Sequence, residues 1–81
     1  MANEDDVRGT KTARSELGRR GVDTSQADIR VMHGVCYIRG QLRAIRSANI
    51  PDLKIEMEKI AKILRTKAEI KEVVIDAIFR T

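Results

Sequence analysis

Residues 29–42 read Ile29-Arg30-Val31-Met32-His33-Gly34-Val35-Cys36-Tyr37-Ile38-Arg39-Gly40-Gln41-Leu42. The stretch predicts two strands folded about His33-Gly34, because glycine accepts a positive φ without steric cost and suits a two-residue hairpin turn. In the first strand, about 27–32, Ile29 and Val31 share a face. In the second, about 35–42, Cys36, Ile38, Gly40 and Leu42 recur at period two on one face. Gly40 then stands on the inward face with no side chain, where a helix is expected to come close.

Downstream, residues 43–51 form a longer connection. Ile50-Pro51-Asp52 is expected to open a helix, since proline suits a first turn and an acid suits a helix N-terminus. This helix is expected to run to about residue 67. Leu53, Met57, Ile60, Ala61 and Leu64 recur at helical spacing and face the core, while Lys54, Glu58, Lys62 and Arg65 mark the wet side. After a turn at 68–69, residues 70–80 predict a third strand. There Val73, Ile75, Ala77 and Phe79 alternate with Val74, Asp76, Ile78 and Arg80, and the β-branched content supports a strand over a helix.

Upstream, residues 1–6 predict a disordered acidic tail and residues 7–18 a short helix with a thin stripe of Val7, Ala13 and Leu17. Gly18 and Gly21 suit its end, and residues 22–26 a loop. The expected fold is therefore α+β, in the order α-β-β-α-β. It is a small three-stranded mixed sheet with two helices packed on one face. The strand–helix–strand crossover is right-handed and makes the third strand parallel to the second. Residues 7–81 make a single domain.

Eighty-one residues at 42% hydrophobic content suffice for one small core, whose stability a partner would help. The longest apolar runs, Val73-Val74-Ile75 and Val35-Cys36-Tyr37-Ile38 among them, are far shorter than the roughly 20 residues of a membrane span. The N-terminal residues lack the basic-then-apolar layout of a signal peptide, and one cysteine forms no internal disulfide, so a cytoplasmic location is expected. Net charge is +4, with the basic excess in residues 8–46 and mostly as arginine. Such an excess favours anionic partners.

These residues resemble the BON family of bacterial osmotically induced and nodulation proteins. Gly34-Val35-Cys36-Tyr37-Ile38-Arg39-Gly40-Gln41-Leu42 is similar to the family's G-V-V-x-L-x-G-x-V run. Ile70-Lys71-Glu72-Val73 is similar to its V-k-x-V element, and Ile63-Leu64 to the pair ahead of it. The chain departs from the pattern in its longer segment at Arg43–Pro51 and in Glu69, where the family carries glycine. The resemblance covers roughly residues 22–80. It implies a non-catalytic binding or assembly module that docks to a protein partner or an anionic phospholipid surface.

Candidate sites can be weighed by their chemistry. His33 and Cys36 form an H-x-x-C pair, but a zinc site needs about four ligands and no second pair exists, so no metal or cofactor is expected. With one histidine and one cysteine, no acid–base or nucleophile constellation assembles and no enzymatic activity is expected. Gly18-Arg19-Arg20-Gly21 spells the G-x-x-G with which KH domains clamp RNA, but that use requires a helix after the loop. Alternation places Arg30, Met32, Tyr37, Arg39, Gln41, Val74, Ile78 and Arg80 on the outer face of the sheet. Of these Arg30, Met32, Tyr37, Arg39, Val74, Ile78 and Arg80 form the candidate interface, for a protein partner or a second copy. Arg19, Arg20, Arg43 and Arg46 are the candidate anion-binding set. The alternative reading is a small basic nucleic-acid-binding protein that contacts phosphates through these arginines.

Overall fold

The computed structural model describes residues 4–80. The hairpin that decides the fold is present. Strands Ala27–Met32 and Val35–Ala44 pair antiparallel through a turn in which His33 has φ 53° and Gly34 φ 81°. Positive φ at both central residues is the geometry of a type I′ turn, whose twist matches that of the strands it joins.

In chain order the elements are α1 (Glu4–Arg19), β1 (Val22–Asp23), β2 (Ala27–Met32), β3 (Val35–Ala44), a single 3-10 turn (Arg46–Ala48), α2 (Leu53–Leu64) and β4 (Glu72–Arg80). The central strand is β3. It pairs antiparallel with β2 and, further along the same edge, with β1; on its other edge it pairs parallel with β4. Four strands thus occupy three positions in a mixed sheet. The expected α+β order holds with one addition, β1, where a loop was expected.

Both helices lie on one face, α1 chiefly over β2 and β1, and α2 against β4. Between them and the sheet, one core collects Leu17, Val22, Ile29, Ile38, Leu42, Met57, Ile60, Leu64 and Ile70. The inward alternation of Cys36, Ile38 and Leu42 is as expected. Among the described residues no helix is long and apolar enough to cross a membrane.

Several expectations need correction. Residues 4–6, expected in the acidic tail, form the first turn of α1; residues 1–3 lie outside the described residues. Three acids in a first turn are favourable there, since the N-terminal N–H groups carry partial positive charge. The buried face of α1 runs through Asp6, Gly9, Ala13, Glu16 and Leu17, leaving Val7 exposed. Gly9 sits against Val31, which a Cβ would reach at 3.1 Å, so the missing side chain sets how closely α1 approaches β2.

Gly40 is next to a strand, not a helix. Its φ is 98°, and a Cβ there would fall 2.6 Å from the Gln26 carbonyl oxygen. The pairing shifts by one residue between Asp23↔Arg43 and Ala27↔Gly40, and Gln41 N–H donates to the Gln26 carbonyl within this bulge at 3.0 Å.

Pro51 precedes the N-cap of α2. The cap itself is Asp52, whose carboxylate accepts the Ile55 N–H at 3.3 Å. The helix stops at Leu64 instead of 67, because Thr66 and Lys67 donate to carbonyls three residues back and tighten the chain into a turn. β4 starts at Glu72, not 70, and Ile70 is buried beneath the turn before it.

Candidate binding face of the sheet

The outer face of the sheet is bare of helices, and its register can be traced row by row across β2, β3 and β4. Met32, Val35 and Glu72 form one row; Arg30, Tyr37 and Val74 the next; then Asp28, Arg39 and Asp76. Towards the far end Gln41 stands beside Ile78, and Asp23, Arg43 and Arg80 close the face. All seven candidate interface residues therefore share one surface. Met32, Val74 and Ile78 are exposed at 45%, 40% and 56%, so this face presents three apolar side chains to solvent.

Tyr37 stands on the central strand, flanked by Arg30 and Val74. The Arg39 guanidinium lies 5.2 Å from its ring centroid, close enough for a cation–π contact. Arg30 Nε donates to Asp28 at 3.3 Å, and Arg80 Nε to Gln41 Oε1 at 3.3 Å. At the start of β4, Glu72 accepts from its neighbour's backbone, Val73 N–H, at 2.9 Å and from Arg65 Nε at 3.0 Å. Those donors, the backbone N–H first and then Arg65, hold the Glu72 carboxyl below the usual range. Asp23 is lowered likewise, by the Ser25 backbone and hydroxyl donors and by the nearby Arg43.

The sequence reading set Asp76 among the outward residues of the last strand but left the acids of this face out of the candidate interface. Asp28, Glu72 and Asp76 have the same parity as Arg30 and Val74, so the alternation that found the arginines carried the carboxylates too. Val35 was missed for the same reason. Val7, expected in the core, instead lies with Met32 and Arg30 along a groove between α1 and β2, beside Lys11 and Arg14. That groove extends the apolar surface around the edge of the sheet.

The anion-binding set is scattered and partly neutralised. Arg20 Nε bonds Glu16 at 2.9 Å and Arg20 also reaches Glu56 at 4.0 Å, and Arg19 lies 3.8 Å from Glu16. The Arg20 hydrogen bond is the main reason the Glu16 carboxyl is held low. Arg43 stands opposite Asp23 and Arg80, while Arg46 is in the exposed 3-10 turn. The G-x-x-G run ends α1 and leads into the strand β1, so the helix that an RNA clamp requires after the loop is replaced by a strand.

His33 and Cys36 do not meet as a site. His33 is exposed on the hairpin turn, and Cys36 is fully buried on the inward face. Burial pushes the Cys36 thiol up to about 11. At pH 8 that leaves about one part in a thousand as thiolate, before any limit from access. A thiol reagent is therefore expected to modify Cys36 at least about 100-fold more slowly in the native protein than in urea. Stopped-flow labelling measures both rates, and comparable rates would show the core opening readily at β3.

Comparison with known protein families, curated proteins and solved structures finds no match.

Proposed function

We propose that this chain is a BON-like binding and assembly module without a reaction of its own, and that it docks a protein partner through the outer face of its sheet. The observation that carries the reading is the exposed apolar trio Met32, Val74 and Ile78 around the Tyr37–Arg39 stack. Apolar surface gathered around an aromatic–arginine pair is the composition of a protein-binding hot spot.

The charge on this face favours protein over lipid. Arg30, Arg39, Arg43 and Arg80 are matched by Asp23, Asp28, Glu72 and Asp76. A surface built for anionic headgroups needs a basic excess, whereas a mixed pattern gives orientation and specificity against a complementary protein. The nucleic-acid reading is weaker for a related reason, since Glu16 already engages Arg19 and Arg20.

Photo-crosslinking in the source cells tests this. A benzophenone side chain in place of Tyr37 is expected to yield one discrete protein adduct, and Met32→Asp in the same chain to abolish it. The control position is Lys54, on the wet side of α2. Adducts at position 37 no stronger than at position 54 would remove the reading. Sedimentation of the protein with phosphatidylglycerol vesicles at physiological salt would replace it with the lipid surface.

A further inference from the structure

The two outer edges of the sheet are treated differently. Along β2 the edge is closed by α1. Thr10 Oγ1 accepts Val31 N–H at 3.0 Å, and the Asp6 carboxylate accepts His33 and Gly34 N–H at 3.1 and 3.3 Å. Along β4, among the described residues, only the first edge group is closed, by the Glu72 carboxylate on Val73 N–H.

The bonding pattern says which groups remain on the β4 edge. Glu72 N–H donates to the Gly34 carbonyl of the hairpin, so residue 72 faces β3, whereas Val73 N–H turns away to a side chain. Successive residues of a strand present their N–H and C=O to opposite sides. Residues 75, 77 and 79 therefore aim theirs at the open edge, where no other described residue bonds them.

We infer that β4 is a self-association edge, on which two copies of this chain pair antiparallel about a two-fold axis at Ile78. In this register Ala77 and Phe79 exchange backbone hydrogen bonds with Phe79 and Ala77 of the partner. On the outer face Ile78 meets its own copy, and Asp76 faces Arg80 of the second chain on both sides of the axis. On the inner face the half-buried Phe79 lies over the small Ala77 of the other copy.

Register and charge select this arrangement. Only pairings that bring odd residues opposite odd residues use the open N–H and C=O groups. Centring the pair on Ala77 would set Asp76 opposite Ile78 and Arg80 opposite Val74, leaving the charges unpaired, and centring it on Asp76 would oppose two aspartates and need the Val73 N–H that Glu72 holds. Like charges directly opposite destabilise a sheet, and opposite charges there support it. A two-fold axis makes each favourable pair occur twice. An edge strand with open backbone groups is otherwise a liability, and pairing closes it. The sheet continues across the axis and its outer face stays open, and although Ile78 and Arg80 belong to both surfaces, Met32, Tyr37 and Val74 serve docking alone.

Sedimentation equilibrium reads the mass directly. An edge interface falls at the small end of specific contacts, so concentrations up to about 0.5 mM are used. The expected species has twice the 9.1 kDa mass of the chain. Ala77→Pro removes an N–H that points outward and leaves the β3 ladder intact, so the protein is expected to become monomeric with an unchanged circular dichroism spectrum. Arg80→Asp is expected to raise the dissociation constant at least about tenfold by opposing Asp76, and Asp76→Arg/Arg80→Asp together to restore pairing. The two charge variants decide the matter if Ala77→Pro perturbs the fold. A monomeric wild-type protein overturns the inference, as does a dimer that survives a folded Ala77→Pro. A double variant that stays monomeric overturns the register. Met32→Asp leaves the dimer intact, so failure of partner docking and failure of self-pairing are read separately.

Discussion

Gly40→Ala is expected to destabilise the domain by about 3–4 kcal/mol, the sum of a left-handed backbone forced on an L-residue and a clash with a fixed strand. The φ of 98° alone disfavours any side chain. The added methyl would also sit 2.6 Å from the Gln26 carbonyl oxygen and 3.0 Å from Ala27 Cα, both backbone atoms that cannot swing aside. Relief requires β2 to move away from β3 at the bulge, breaking the bond from Gln41 to Gln26. For a chain of this size the loss lowers the melting temperature by roughly 15–25 °C. Gly18→Ala is the matched control. A Cβ at Gly18 meets nothing within 4 Å near the end of α1, and the substitution should stabilise by about 0.5–1 kcal/mol. Urea melts of the two variants check the contrast. A Gly40→Ala midpoint within error of wild type would mean that the bulge relaxes freely.

Asp6→Ala is expected to cost about 3 kcal/mol, since hydrogen bonds to a charged group are worth about 1.5–3 kcal/mol each. The residue is only 6% exposed, and its carboxylate accepts both N–H groups of the hairpin turn. Removing it leaves the His33 and Gly34 donors without their acceptor and detaches the first turn of α1 from the hairpin. Asp6→Asn retains an acceptor oxygen, and is expected to lose roughly half as much. Thermal melts measure the cost, and amide exchange at residues 33 and 34 locates it. A cost below about 0.5 kcal/mol, with exchange at the turn unchanged, would show the contact to be incidental.

Asp6 also marks where the sequence stopped being legible. A cluster of acids at a chain end reads as a solvated tail, and nothing local distinguishes Asp6 from Glu4 or Asp5. Its role comes from a turn far along the chain. The hairpin, by contrast, was fully legible, because period-two alternation and a His-Gly turn are local signals. So were the inward residues of α2 and β4. Gly40 lies between these cases. Its lack of a side chain pointed to a close approach, but the approaching partner is backbone from a bulge, which leaves no periodic trace. The arginines of the outer face could be read from alternation, while their balance by Asp28, Glu72 and Asp76 emerged only once the register joined three strands into rows. What the edge of β4 offers depends on which N–H groups β3 uses, and a sequence does not display that.

The central position of β3 has a consequence in time. Its pairing with β2 closes through a two-residue turn, so that half of the sheet can form within microseconds. Pairing with β4 must wait until residues 45–71 have been gathered into the turn and helix that bridge the two strands, and closing so long a loop is entropically slow. The order of loop closure thus favours a stage in which β3 has one edge satisfied and the other vacant. During that interval the vacant edge can accept the β4 of another molecule, in competition with its own tethered strand, and the length of the crossover sets how long that choice stays open.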